Sequence, residues 1–167
     1  MSRKTIGIAA VTVATAVVLA SCASLRKPDE RWADYKSWTK ITDGKVSTGD
    51  PTGFLGGVHE GLEGYRDIFV NDVGLDAVLG SAPYNYPVGT VVVKEQYPTK
   101  AAWEAQKKPN LTIMVKVATS DTPDMANWQW SPSYTKAPSA NAFCAGCHAI
   151  ATQNDFVFTN GDFLATQ

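Results

Sequence analysis

The residues of this chain best suited to chemistry lie near its end, where Cys144, Cys147 and His148 spell C-x-x-C-H. On a helix this spacing places two thiols on adjacent turns and an imidazole directly after the second thiol. Both thiols can then add to the vinyl groups of a haem, and the imidazole can ligate its iron. The motif therefore predicts one covalently attached haem c, anchored by Cys144 and Cys147, with His148 as the iron ligand.

Two other roles of a C-x-x-C pair agree less well with this chain. A thioredoxin-like redox pair follows a strand at the start of a βαβ unit, and no such pattern surrounds Cys144. A zinc site needs four ligands, commonly from two cysteine pairs, and His59 is the one histidine outside the motif. Covalent haem attachment is therefore the role that the motif favours.

The other face of the iron has no evident ligand. Met114 and Met125 both precede the haem motif, and no methionine follows His148. A methionine inside an apolar run rich in β-branched residues, such as 111–118, is typical of core packing. We therefore expect an open iron site, which disfavours a plain electron carrier with two axial ligands.

An acidic residue follows the motif at a short distance. Asp155 lies in the segment DFVFT, seven residues after His148. From that position its carboxylate could orient the imidazole or the haem edge, or it could simply cap a helix. The residues alone do not decide between these two roles.

The first residues have the pattern of an export signal. Arg3 and Lys4 precede an apolar run over 6–20 that is short for a membrane span, and 19–22, LASC, resembles a bacterial lipobox. We expect residues 1–21 to be removed and lipid on Cys22 to anchor the protein to a membrane, in the bacterial periplasm or cell envelope. An ordinary signal peptide with a cysteine near its end is the alternative.

The remaining composition describes one acidic domain. Without 1–21 the chain keeps 146 residues, and its 15 basic side chains fall to 13 against 16 acidic ones, because Arg3 and Lys4 leave with the signal. The formal charge is then −3 and no basic stripe remains, so nucleic acid is not an expected partner. The lipobox and the haem motif use all three cysteines, which leaves none for a structural disulfide.

The pattern along the mature chain predicts a mainly β (α+β) fold in a single domain, with an antiparallel sheet, a few helices and a C-terminal haem-binding helix. We expect 22–40 to be a tether with a first helix, and 41–167 to be the haem domain. The Gly-rich stretch 41–64 is typical of loop or irregular strand. Apolar or alternating runs predict strands at 66–71, 90–95, 111–118, 127–131 and 155–159, and helices at 73–79, 99–107 and 139–152.

Lys94 is unusual because it closes the β-branched run Thr90 to Val93 with a charge. The residues alone favour a simple explanation, in which the strand reaches solvent and Lys94-Glu95 is its hydrated end. Only a comparison with other proteins suggests a chemical role for this lysine.

Three stretches together resemble the cytochromes P460 and the related β-type cytochromes c′. They are 66–71, RDIFVN; 86–95, YPVGTVVVKE; and 144–159, which holds C-x-x-C-H followed by D-x-V-F-T. The resemblance covers about 41–160 and implies a β-sheet fold, usually a homodimer, with a five-coordinate haem c. It also implies a covalent bond from Lys94 to a haem meso carbon, as in P460 proteins; the β-type cytochromes c′ lack that lysine.

The resemblance also implies an activity on a small nitrogenous substrate or gas. P460 proteins of this type oxidise hydroxylamine to nitrogen oxides and pass electrons to a redox partner, whereas β-type cytochromes c′ bind nitric oxide or another small gas. The hydroxylamine oxidisers carry a distal carboxylate, but 127–143 contains no Asp or Glu. A proton acceptor would then come from elsewhere in the chain, and the candidates are His59, Glu60, Glu63 and Asp67. Arg66 could assist as an electrostatic group, unless it pairs with Asp67.

Overall fold

A computed structural model of the protein describes residues 27–46, 64–118 and 123–165. The expected signal 1–21, Cys22 and three candidate proton acceptors, His59, Glu60 and Glu63, lie outside the described residues. In the part of the chain that is described, no helix is long and apolar enough to span a bilayer.

The centre of the fold is a five-stranded antiparallel sheet whose strands follow one another in chain order. β2 and β3 pair in a continuous register, with Ile68 opposite Lys94, and β3 pairs with β4 with Lys94 opposite Thr112. The sheet confirms the predicted mainly β, α+β class. Its strands are β1 Thr39–Val46, β2 Tyr65–Val70, β3 Val91–Tyr97, β4 Asn110–Lys116 and β5 Trp128–Ser131.

In the described residues, four short α-helices accompany the sheet: α1 Asp72–Leu79, α2 Lys100–Glu104, α3 Ala142–His148 and α4 Gly161–Ala165. The first three begin after a side chain that accepts a hydrogen bond from the backbone N–H three residues later, which replaces a missing intrahelical partner. These caps are Asn71 for α1, Thr99 for α2 and Asn141 for α3. The predicted 139–152 helix is therefore shorter, and a 3-10 segment, Ala149–Asn154, continues it.

Side chains alternate across the sheet and build a separate apolar cluster on each face. The face that carries Ile68, Val92 and Met114, here called the front face, packs against α3 through Ala145. The opposite back face packs against the segment before β1, with Trp32 and Tyr35. Because the haem motif lies in α3, the front face is the one that matters for the cofactor.

Two predicted elements differ in the structure. The first helix expected within 22–40 is instead two 3-10 turns, Glu30–Trp32 and Tyr35–Ser37, held by Trp32 Nε1, which donates to the Tyr134 carbonyl at 2.8 Å. The last strand expected at 155–159 is wrong, since Asp155 and Phe156 both have left-handed backbone angles, φ 49° and 66°. Trp32 and Tyr134 are 102 residues apart, so local patterns around the first segment could not indicate this bond.

Candidate haem site

The haem motif lies wholly within α3, in the last five residues of that helix. Asn141 Oδ1 accepts from the Cys144 backbone N–H at 3.1 Å, so the helix begins just before the first thiol. Cys144 and Cys147 are partly buried and form no disulfide. Gly146 between them has open space where a side chain would start. The helix thus presents both thiols without a neighbour crowding the middle of the motif.

His148 is oriented by the backbone rather than by another side chain. Its Nδ1 lies 2.7 Å from the Phe156 carbonyl oxygen, which can only accept, so Nδ1 carries the proton and donates. That tautomer leaves Nε2 with the free lone pair that a metal needs. The His148 pKa is lowered to about 4, chiefly by burial; the bond to Phe156 opposes this shift and the nearby charge of Lys94 adds to it. The ring is therefore neutral near pH 7, which is the ligating form.

Two aromatic rings flank the imidazole. The Phe158 ring centroid lies 4.9 Å from the His148 ring centroid. The ring centroid of Trp130, a residue of β5, lies 5.8 Å from the His148 centroid. Phe158 is exposed beside His148, and Phe143, which directly precedes the motif, is 67% exposed. An exposed apolar side chain beside a histidine that can ligate iron, such as Phe158, is suited to contact a macrocycle.

Lys94 shares the front face with the haem motif. Alternation along β3 places its side chain on the side of Val92, while Glu95 points to the back and is fully buried, bonded by the Tyr35 and Tyr97 hydroxyls. The strand also continues to the buried Tyr97. The explanation that Lys94-Glu95 is a hydrated strand end is therefore wrong.

The surroundings of Lys94 depress its basicity. Burial chiefly, and then the Arg66 guanidinium, lower the Lys94 pKa to about 8, while Cys147 and Cys144 act in the opposite direction. Burial raises the pKa of the Cys144 thiol, and Lys94 counteracts that rise. Among the described residues no carboxylate forms an ion pair with Lys94. The amine thus lies within electrostatic range of both anchor thiols and His148.

Arg66 contributes a second cation to the same face. It lies two residues before Ile68 on β2, and its Nε is buried without a hydrogen-bond partner in the described part of the chain. Burial lowers the Arg66 pKa. Two neighbouring cations on an apolar surface suit an anionic ligand, and a haem brings two carboxylates.

Buried polar atoms without a hydrogen-bond partner show whether the described residues fit a haem, and they do. Among the described residues, three buried polar atoms lack a hydrogen-bond partner: Arg66 Nε, Tyr86 Oη and Trp130 Nε1. All belong to residues of the front face or the cluster packed on it. Buried polar atoms are normally hydrogen-bonded, so orphaned ones grouped on one face indicate a missing polar partner. Cys144 and Cys147 would hold the macrocycle, His148 the iron, and Arg66 a carboxylate.

Asp67 is a correction to the predicted set of proton acceptors. Neighbouring residues of a strand point to opposite faces, so Asp67 lies on the back while Arg66 lies on the front. Its Oδ1 accepts from Gly44 N at 2.7 Å and Trp103 Nε1 at 3.0 Å, and only 1% of Asp67 is exposed. The carboxylate is fully occupied away from the haem motif, and it forms no ion pair with Arg66.

Several residues around the motif were not predicted from the sequence. The hydrogen bond from His148 to the Phe156 carbonyl was not predicted, because 155–159 was expected to be a strand and not a turn. The Trp130 contact had a usable signal, since the alternating run 127–131 already predicted both tryptophans on one buried face. Tyr86 lies in the segment that resembled the family, but its unpartnered hydroxyl has no counterpart in the pattern.

Comparison with known proteins identifies one family. The sequence profile described as Cytochrome P460 matches residues 32–159, which is most of the chain and includes Arg66, Lys94 and the complete C-x-x-C-H motif. No curated protein matches the chain significantly. The chain therefore belongs to the cytochrome P460 family of haem-binding cytochromes.

Proposed function

We propose that this protein is a mono-haem c enzyme that oxidises hydroxylamine, with its haem bound through Cys144, Cys147 and Lys94. The observation that carries the proposal is the position of Lys94: a partly buried amine with a pKa of about 8 on the face of the haem motif. Burial of an unpaired ammonium is costly. A covalent bond from Lys94 to the haem would explain why an amine lies at this position.

The open iron site is supported by the placement of the methionines. Met114 lies between Val92 and Trp130 in the strand register and is a member of the front apolar cluster. Met125 packs against the same cluster from a 3-10 turn. Both therefore serve the core, as expected. A haem whose iron is ligated by His148 alone would supply one free coordination position and redox chemistry.

The residues of the chain divide the remaining work. Oxidation of hydroxylamine releases protons and electrons in equal number, so a base must take the protons and a redox partner the electrons. His59, Glu60 and Glu63 are the candidate bases that remain after Asp67 is excluded. Arg66 would hold negative charge on the front face, and the buried aromatic residues Trp130 and Tyr86 would exclude water.

A second function, binding of nitric oxide or another small gas without turnover, is favoured by one observation. No acidic residue occurs in 127–143, and no described carboxylate forms an ion pair with Lys94. A steady-state assay with hydroxylamine and an artificial electron acceptor separates the two. Consumption of both supports the enzyme. Protein that takes up nitric oxide but consumes neither reactant would show that the gas binder is correct.

Formation of the cross-link is expected to speed up as the pH rises. Only a neutral amine has the lone pair that bonds to carbon, and Lys94, with its pKa lowered from 10.5 to about 8, is protonated below pH 8 and neutral above it. The new N–C bond replaces one N–H and the meso C–H, and the two protons and two electrons released require an oxidant such as peroxide.

Haem-loaded protein that is not yet cross-linked, given limiting peroxide, should convert on the order of tenfold faster at about pH 9 than at about pH 7. Absorbance and intact mass would follow the conversion. A rate that is constant or falls over this range contradicts the assignment of Lys94 as the bonding amine.

We also propose that the mature protein begins at a lipid-modified Cys22 and is anchored in the cell envelope. The support is the sequence LASC after a short apolar run. Cys22→Ser is expected to move the protein from the membrane fraction to the soluble fraction, because the lipid attachment atom is lost. Ser24→Ala is the matched control and should stay with membranes. Equal membrane binding of Cys22→Ser and the parent chain would contradict the anchor.

A homodimer is the oligomeric state that we propose, as the family resemblance implies. Exposed large apolar side chains on and near α1 offer area for such a contact, namely Val73, Leu79 and Val88, which are 50%, 54% and 58% exposed. Sedimentation velocity of the haem-loaded protein tests this directly. A single monomeric species at micromolar concentration would contradict it.

A further inference from the structure

We propose that the buried Lys116–Asp155 ion pair is a positioning device for the iron ligand, acting through the turn that presents the Phe156 carbonyl to His148. The inference rests on the proposed haem only in taking His148 as the ligand. Neither Lys116 nor Asp155 touches the imidazole. Their effect would pass through the backbone of the residue that follows Asp155.

The turn itself is unusual. The 3-10 segment after α3 ends at Asn154; the next residue, Asp155, has φ 49° and ψ 45°, and Phe156 follows with φ 66°. Two successive non-glycine residues seldom adopt left-handed angles, so surrounding contacts must hold them. This conformation reverses the chain and brings the Phe156 oxygen to 2.7 Å from His148 Nδ1.

The Asp155 carboxylate is the centre of those contacts. Lys116 Nζ donates to both of its oxygens, at 2.7 and 2.8 Å, and the Tyr86 backbone N–H donates to Oδ2 at 2.9 Å. Trp128 Nε1 donates to the Asp155 carbonyl at 2.8 Å. The turn is thereby attached to β4, to β5 and to the segment before β3.

The pair is well insulated from water. The side chains of Lys116 and Asp155 are each 9% exposed, and Lys116 Nζ lies 5.1 Å from the Trp128 ring centroid. A buried ion pair with several hydrogen bonds holds a single geometry, and removal of one partner leaves an uncompensated charge. Such a pair is therefore suited to fix a strained turn in one position.

The consequence for the iron follows from the hydrogen bond to Nδ1. A strong acceptor at Nδ1 gives the imidazole more electron density at Nε2 and fixes the orientation of the ring. If the turn relaxes, the Phe156 oxygen moves away and the bond weakens. The iron–histidine bond should then weaken as well, and the reduced iron should be favoured over the oxidised form.

The test uses resonance Raman spectra of the reduced, haem-loaded protein together with redox titration. Asp155→Asn and Lys116→Met should each shift the iron–histidine stretch to lower frequency and raise the midpoint potential. The double variant should show no larger shift than either single variant, because both residues act through one pair.

Asp67→Asn is the matched control. Asp67 is a carboxylate, buried even more deeply than Asp155, that accepts from a backbone N–H and a tryptophan Nε1, and it lies 3.8 Å from Lys40 Nζ, but on the back face. We expect Asp67→Asn to lower the unfolding temperature without a change in the iron–histidine stretch. If the Asn or Met variant does not fold, Lys116→Arg, which keeps a cation able to bond both oxygens, should retain the parent frequency.

The outcomes separate this inference from the proposed function. An unchanged stretch and potential in both Asp155→Asn and Lys116→Met, with only a lower unfolding temperature, would overturn the positioning role alone. A shifted stretch in Lys116→Arg or in Asp67→Asn would also overturn it. A parent protein without any iron–histidine band would overturn the ligation by His148 and the inference together.

Discussion

Replacing Cys144 and Cys147 together by serine, in a protein that also carries Lys94→Ala, is expected to leave no covalently bound haem. Both thiols lie on α3, partly buried on the side that faces Lys94. A serine hydroxyl keeps the size of the side chain but does not form the thioether bond. Haem should then be extracted completely by acidified organic solvent, and haem staining after denaturing electrophoresis should fall to background.

The single variants provide the control for this prediction. Cys144→Ser and Cys147→Ser should each keep haem through the remaining thiol, and through Lys94 where the cross-link has formed. Their haem stain should therefore be reduced but present. Retention of stain in the double variant, in a background with Lys94 replaced as well, would show that another residue anchors the cofactor.

Replacing Lys94 by alanine is expected to change the cofactor without removing it. Haem should stay bound through the thiols, while the Soret band moves to the position of an ordinary haem c, because the meso carbon regains its hydrogen. Hydroxylamine oxidation should fall by about tenfold or more, equivalent to about 1.4 kcal/mol of transition-state stabilisation. Absorption spectra and steady-state rates of the parent and the variant measure the two effects.

Two further lysine variants sharpen this prediction. Lys94→Arg keeps the positive charge but not a simple amine, so it should behave as Lys94→Ala if the bond matters, and as the parent if only charge matters. Lys107→Ala removes an exposed lysine on the segment after α2 and should change nothing. A parent spectrum that Lys94→Ala leaves unaltered would contradict the cross-link.

Much of the fold follows from local patterns in the sequence. The run Val91 to Val93 and the segment 111–118 are β-branched and apolar, and both form central strands. The Ala-rich stretch around the haem motif forms α3. In these segments the intrinsic propensity of the residues and their apolar pattern both favour the element that the structure shows. Their prediction therefore needed no tertiary information.

The candidate site was harder to predict because it depends on which face each strand residue occupies. The strand prediction 66–71 implied that Arg66 and Asp67 point to opposite sides, yet nothing local indicated which side holds the haem motif. That choice depends on the register of β2 with β3, where Ile68 lies opposite Lys94. Only a structure gives such a non-local pairing.

The segment 155–159 shows the opposite case, in which a local pattern predicted the wrong element. Asp155-Phe156-Val157 alternates as a strand does, but the Asp155 carboxylate is bound by Lys116, which lies 39 residues earlier in the chain. The structure has a left-handed turn at this point instead, with Asp155 and Phe156 at φ 49° and 66°. The same turn supplies the hydrogen bond that orients His148.

The most direct test of the account is peptide mapping by mass spectrometry of the purified, haem-loaded parent protein. We predict that haem is found linked both to the peptide with Cys144 and Cys147 and to the peptide with Lys94, joined in one species. Haem on the cysteine peptide alone, with an unmodified Lys94 peptide in equal amount, would contradict the central claim.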